Sequence, residues 1–425
     1  MEMLTAKHFK QRTADRETGT KTVDDQVMEI IARVRKYGDQ AIYSYTEKFD
    51  SVKLTSLTVT EEEFDDAGKM ADPAVIQALH QAKANIERFH RQQVEKSWFH
   101  EKEQGVTLGQ KITPMEKAGI YIPGGKAAYP STVLMNVIPA KVAGVEKIAI
   151  TTPPQPDGTV NPYVLIAARI AGADAVYKIG GAQAIAALAY GTETVEKVSK
   201  ITGPGNVYVA RAKKWVFGEV DIDMIAGPSE ICILADETTN AKYAAADLLS
   251  QAEHDESASS ICVTASRTVA ENILTEIKKQ SAVLDRREII EKSLSRNGKL
   301  IIVENLQEAY DVINELAPEH LQLMTDHPAD DLSFIKNAGA IFLGEYSPEV
   351  LGDYYAGPNH TLPTSGTAKF SSPLGVYDFV KKSSIIHYSR HALATAAENI
   401  VLLAETEGLT AHANALKVRK DDSYA

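Results

Sequence analysis

Cysteine is nearly absent: the 425-residue chain carries two, Cys232 and Cys262. That excludes a disulfide framework and a thiolate zinc finger. Both sit in apolar, β-like runs, EICILAD and SSICVTAS, and read as small core hydrophobes. Long apolar runs are missing as well, and nothing approaches the roughly 18 residues of a membrane span. The opening MEMLTAKHFKQRTADRE has no apolar core of a secretory signal, so the expected location is the cytoplasm. Positive charge is in deficit, with 45 Lys+Arg against 57 Asp+Glu and a net charge of −12. This argues against nucleic-acid or anionic-membrane partners, which call for a basic surface. A small ligand in a local pocket stays open. The dinucleotide fingerprint is missing too: GPGNVY at 203–208 holds G-x-G but not G-x-G-x-x-G. GIYIPGGKAAYPST lacks the Lys-Ser/Thr pair of a P-loop, because Ala127 follows Lys126.

What is present reads as a globular protein of two or three domains, with 44% hydrophobic and 24% charged residues. The first ~115 residues are mostly helical in pattern. Val27, Ile30, Ile31, Val34, Ala41, Ile42 and Tyr45 form apolar stripes broken at Gly38. Asp72-Pro73 marks a helix start, with Asp72 as N-cap. GVTLGQKITPM has a hairpin character. From about 118 the rhythm changes, and β-like runs such as KIAITT, ICILAD and KLIIVE alternate with helical stretches. That βα pattern implies parallel sheet covered by helices. A helical tail, HALATAAENIVLLAETEG, comes after 371.

Three Gly-rich turns fall where strands give way to helices: Gly124-Gly125, Gly180-Gly181 and Gly203-Pro204-Gly205. Glycine there lets a ligand approach backbone N–H groups, although turn chemistry alone also accounts for it. Gln251 and His254 stand three apart near a helix end and share one face. Glu319 and His320 are adjacent before a β-like run, a pairing suited to acid–base work. Asp353 and His360 lie in a Gly/Pro-rich loop, and Glu405, Glu407 and His412 in the tail. Spacing does not connect these segments. On the residues alone the reading ends at an α/β enzyme, with metal dependence and ordinary exposed polar residues both open.

The run DIDMIAGPSEICILAD resembles the signature stretch of the histidinol dehydrogenase family. GIYIPGGKAAYPSTVLMNVIPAKVAGV, KIGGAQAIAALAYGT, KITGPGNVYVARAK, SQAEHD, NELAPEHLQL, LGDYYAGPNHTLPT and EGLTAHANA resemble that family's motifs, in its order, over roughly 118–415. The resemblance implies oxidation of L-histidinol to L-histidine through L-histidinal, with two NAD+ and one Zn2+ per subunit. It implies Gln251, His254, Asp353 and His412 as zinc ligands, and Glu319 and His320 as the acid–base pair. Ser229 and Glu407 match substrate contacts, and the zinc ligands and His320 face the substrate as well. Tyr121, Gln183 and Asn206 match NAD contacts.

The implied fold class is α/β: two incomplete, Rossmann-like (doubly wound) domains, with small N- and C-terminal helical segments exchanged in a homodimer. The expected division is an arm at 1–17, a zinc domain at 18–117 and 231–370, an NAD domain at 118–230, and a tail at 371–425 that completes the partner's site. The competing readings are a sister dehydrogenase of another small polar alcohol and a non-catalytic α/β binding module. Intact Ser229 and Glu407 weigh against the first. Glu319, His320 and the ligand positions weigh against the second.

Overall fold

The computed structural model describes residues 1–12, 21–124 and 129–421. Gly125, Lys126, Ala127 and residues 13–17 of the expected arm lie outside the described residues. The chain divides into two compact units, Met1–Gln93 with Met115–Phe379, and Val94–Pro114 with Val380–Ala425.

In the first unit, five parallel strands run in the order Ala175–Lys178, Lys147–Thr152, Lys117–Tyr121, Lys200–Thr202 and Asp221–Ile222. Side chains alternate across each strand, so both faces need cover. Ala118, Ile120, Ile148 and Ile150 pack under the helices Pro130–Ala143 and Pro162–Ala171. Tyr121, Tyr177 and Ile201 pack on the other face against Gly181–Tyr190 and Val207–Val216. The first of these strands in sequence lies in the middle of the sheet. The order therefore reverses beside it, and such a switch point opens a ligand crevice at the carboxyl ends of the strands.

A second parallel sheet has six strands, in the order Glu2–Thr5, Lys299–Ile302, Ser259–Thr264, Glu230–Ala235, His320–Met324 and Ala340–Leu343. Ile231, Ile233 and Cys262 face one helical layer, while Cys232 and Leu234 face the other. Both cysteines are free and buried, as their apolar context suggested. Burial pushes the Cys262 thiol up to about 12, so it stays protonated and inert.

The helices Lys21–Asp50, Glu61–Met70 and Pro73–Arg91 pack against the helices that cover the five-stranded sheet, the first on Gly181–Tyr190 and Val207–Val216, the other two on Pro130–Ala143 and Pro162–Ala171. These contacts lie with 118–230, whereas the expected division groups 18–117 with 231–370. An amphipathic stripe says that a helix is covered, not what covers it. Local signals hold well: Gly38 interrupts its helix with φ 51°, and Asp72 accepts from the Ala74 N–H at 2.8 Å. Glu2–Thr5, within the expected arm, pairs with Lys299–Ile302 at the edge of the six-stranded sheet.

The second unit is a three-stranded antiparallel sheet with two helices. Trp98–Glu103 and Val106–Pro114 form the hairpin, turning at Gly105 with φ 84°. Val380–Tyr388 pairs with the second strand, and the helices Arg390–Thr406 and Thr410–Asp421 follow. The tail expected at 371–425 thus begins with a strand, and Leu374 and Phe379 belong to the core of the first unit. Among the described residues no helix is long and apolar enough to cross a membrane.

Candidate active site and nucleotide cavity

The six-stranded sheet places the acid–base pair. His320 opens its strand, in register with Ile231 of the neighbouring strand. His320 and Gln322 are two apart and so share a face. Gln322 donates from Nε2 to Asp247 Oδ2 at 2.9 Å. Asp247 lies on the helix Ala241–Ala252, one turn before Gln251, and His254 follows the helix end. Across from them, the short helix Glu349–Tyr354 carries Glu349 and Asp353 four apart, on one face.

These elements bring Gln251, His254, Glu319, His320 and Asp353 into one site. Ligand atoms of His254, Glu349 and Asp353 all lie within 4.8 Å of one another. His320 Nε2 stands 3.8 Å from Asp353 Oδ1, and its Nδ1 stands 3.8 Å from Glu319 Oε2. Among the described residues, none of Asp247, Glu319, Glu349 and Asp353 pairs with a Lys or Arg. Buried carboxylates without counter-charge are costly. Burial, reinforced by Asp353, pushes Glu349 up to about 8. Burial raises Glu319 well above the carboxylate range, although it accepts the Glu230 N–H at 2.8 Å. Gln251 is fully buried, and neither end of its amide has a partner. A mixed O and N donor set, acidic and with an unsatisfied amide, fits a divalent cation such as zinc.

His320 is arranged as a base. Its Nδ1 meets the Glu230 carbonyl at 3.0 Å. A carbonyl only accepts, so Nδ1 carries the proton and Nε2 keeps the lone pair. Nε2 is buried and has no partner. Burial also lowers the pKa of the ring, which keeps it neutral. His360, for which sequence offered no role, meets the Asp353 carbonyl through Nδ1 at 3.0 Å and so braces the end of the helix that carries that carboxylate. Glu349, Asp247 and Gln322 escaped sequence reasoning. The available signals were the four-residue spacing to Asp353 and to Gln251, and the two-residue spacing to His320.

The expected nucleotide residues converge elsewhere in the same unit. Tyr121, Gln183 and Asn206 line one cavity of about 980 Å³ at the switch point of the five-stranded sheet. Tyr121 Oη accepts the Gly181 N–H at 3.1 Å, tying two of the Gly-rich segments together. Asn206 caps its helix by accepting from Tyr208 and Val209. Gln183 is buried, and its Oε1 has no partner. Gly203 has φ 113°, and a Cβ there would come 2.1 Å from the Tyr121 carbonyl oxygen, so only glycine fits. Buried Lys213 donates to the Gly203 carbonyl at 3.0 Å and pairs with Asp223, which accepts the Gly203 N–H at 2.8 Å. The segment 223–229 then runs from this turn to Ser229 and the start of the strand at Glu230. Seven residues span at most about 25 Å, which bounds the distance from Asp223 to Ser229.

Asp50 also lines this cavity, and its buried Oδ2 has no partner. Burial pushes its carboxyl up to about 6. A carboxyl whose folded pKa is raised costs stability above that pKa, and the cost fades as pH falls toward the unfolded value near 3.9. Asp50→Asn is therefore expected to raise the melting temperature of cofactor-free protein at pH 7.5 by roughly 1–2 °C, and to leave it unchanged at pH 4. Calorimetry at both pH values checks this; a variant less stable at pH 7.5 than at pH 4, relative to wild type, contradicts it.

Glu407 and His412 belong to the second unit. Glu407 caps the helix Arg390–Thr406 at its C-terminal end, and His412 is exposed. The first unit brings together Gln251, His254, Glu319, His320 and Asp353 in one group and Tyr121, Gln183 and Asn206 in the other, while Ser229 precedes the strand that starts at Glu230.

Comparisons with known proteins point to one family. The model of the histidinol dehydrogenase family matches residues 13–420. The histidinol dehydrogenase of Oceanobacillus iheyensis is 57% identical over 427 residues, covering 100% of both chains. That of Bacillus subtilis is 55% identical over 404 residues, covering 95% of both. The crystal structure of histidinol dehydrogenase from Elizabethkingia anophelis superposes with a TM-score of 0.95 at 36% identity, covering 100% of this chain and 98% of that one. The chain belongs to the histidinol dehydrogenase family.

Proposed function

We propose that the protein oxidises L-histidinol to L-histidine through L-histidinal, passing one hydride to each of two NAD+ molecules. The observation that carries this reading is the buried His320: its tautomer is fixed by Glu230, and its free Nε2 faces the Asp353 carboxylate of a cation-type cluster. Gln251, His254 and Asp353 would hold one zinc ion per subunit, with the partner's His412 as the fourth protein ligand. Zinc, when bound, would hold the imidazole and amino nitrogens of the substrate and so orient its alcohol, without redox chemistry of its own.

The residues of the chain do the proton chemistry. His320 Nε2 accepts the hydroxyl proton as the carbinol hydride leaves to NAD+. Glu319 takes a proton from water as that water adds to the aldehyde carbon, while His320 returns the proton on its Nε2 to the carbonyl oxygen, which leaves the ring neutral again. His320 then accepts a hydroxyl proton of the hydrate as the second hydride leaves. Ser229, at the end of the 223–229 segment, and Glu407, a carboxylate suited to the substrate ammonium, complete the substrate contacts. Tyr121, Gln183 and Asn206 contact NAD+ in the cavity. An unpartnered Gln183 Oε1 in a cavity of that size supports this assignment.

The proposed setting is a cytoplasmic homodimer in which the C-terminal unit serves the neighbouring subunit. Among the described residues that unit buries few hydrophobics, Val106, Ala397 and Ala413, while Ile386, Leu402 and Leu403 stand exposed. Exposed apolar groups of that size favour burial against a partner. The assay is direct. Zinc-loaded protein is expected to form NADH from L-histidinol and NAD+, a chelator should stop it, and added zinc should restore it. No NADH from the zinc-loaded protein would sink the reading.

A further inference from the structure

Two buried residues with unsatisfied groups flank the cation cluster. Gln251 is fully buried with both amide ends unpartnered. Glu349 is 1% exposed; its Oε2 accepts from Ser250 Oγ at 3.0 Å, and its buried Oε1 has no partner. The Glu349 carboxylate thus touches residue 250 and also lies within 4.8 Å of a ligand nitrogen of His254. Gln251 falls between those two residues and shares the face of His254.

We propose that Glu349 is a positioning residue for the metal centre, accepting the Nε2–H of Gln251 so that the amide oxygen turns toward the ion held by His254 and Asp353. The reason is the two-ended chemistry of an amide. Only its oxygen can ligate a cation, yet oxygen and nitrogen have nearly the same size, so shape alone does not choose between the two flips. With the ion in place its charge favours the ionised form of Glu349, and an ionised carboxylate accepts and does not donate, so it selects the flip that presents oxygen. The same logic fixes metal-bound histidines through the carboxylates and carbonyls behind them. Ser250, one residue from Gln251, holds the carboxylate from its other side.

The inference rests on the metal reading above. The test measures zinc affinity of the full-length protein by competition with a chromogenic chelator, for wild type, Glu349→Ala, Gln251→Ala and the double variant. Each single change is expected to weaken zinc binding about 10–100-fold. The double variant should be no weaker than Gln251→Ala alone, because Glu349 acts through Gln251. Should the alanine variant fail to fold, Glu349→Leu replaces it in the cycle, filling the space with an apolar group that suits burial. Unchanged affinity in the Glu349 variant overturns the proposal. Fully additive losses also overturn it, by making Glu349 a direct ligand. A wild-type protein that holds no zinc would sink the metal reading itself, which is a separate result.

Discussion

Glu319→Gln is expected to slow oxidation of the aldehyde by about 10²–10⁴-fold, the range of a lost general base, and to leave oxidation of the alcohol within about tenfold of wild type. The asymmetry follows from which step needs water. In the first half-reaction the proton leaves a hydroxyl already on the substrate, and His320 Nε2 can take it. Only the second half-reaction needs water added to carbon, and Glu319 is the remaining buried carboxyl beside His320, at 3.8 Å from its ring. Gln is a clean replacement. Its amide oxygen can still accept the Glu230 N–H that holds Glu319 at 2.8 Å, so the strand starts stay in register. What is lost is basicity. Single-turnover NADH formation, started separately from L-histidinol and from L-histidinal, measures the two halves. Equal loss in both would remove Glu319 from water activation and make it a general support of the site. His320→Asn serves as the contrast and is expected to depress both halves, because its nitrogen takes a proton in each.

Much of this site can be read along the chain, because its groups obey local periods. His320 and Gln322 alternate on a strand, Asp247, Gln251 and His254 follow one face through the end of a helix, and Asp72 and Gly38 mark helix boundaries by backbone chemistry alone. Each depends on neighbours a few residues away. Glu349 depends on Ser250, 99 residues distant, and nothing in PEVLGDYY announces that contact. The place of residues 21–91 is hidden for a related reason. Val27, Ile30 and Val34 specify a covered face, yet the helices Gly181–Tyr190 and Val207–Val216 that cover it come later in the chain. The strand Val380–Tyr388 was hidden by composition: VKKSSIIHY has too little strict alternation to separate it from a loop. Its pairing comes from the hairpin strand Val106–Pro114. The candidate site residues are named by family resemblance, whereas the fixed tautomer of His320 and the unpartnered amide of Gln251 arise from three-dimensional packing.

Two inactive variants are expected to repair each other. His254→Asn and His412→Asn should each be nearly inactive as homodimers, since each removes a zinc ligand from both sites. His254 belongs to the first unit and His412 to the second. If the C-terminal unit serves the neighbouring subunit, a heterodimer of the two variants places both lesions in one site and none in the other. Random re-pairing of equal amounts makes half the dimers mixed, each with one intact site, so recovery should approach about a quarter of wild-type activity. The partition separates the two possible arrangements without a structure of the dimer. Were His412 to serve the first unit of its own chain, every site in the heterodimer would carry one lesion, and mixing would restore nothing. Bound zinc gives a second readout: one tightly held ion per mixed dimer in the shared arrangement, and none in the other. The exposed Ile386, Leu402 and Leu403 supply a control. Charged replacements there should prevent re-pairing and abolish the recovery, if that apolar surface is what seats the unit on its partner.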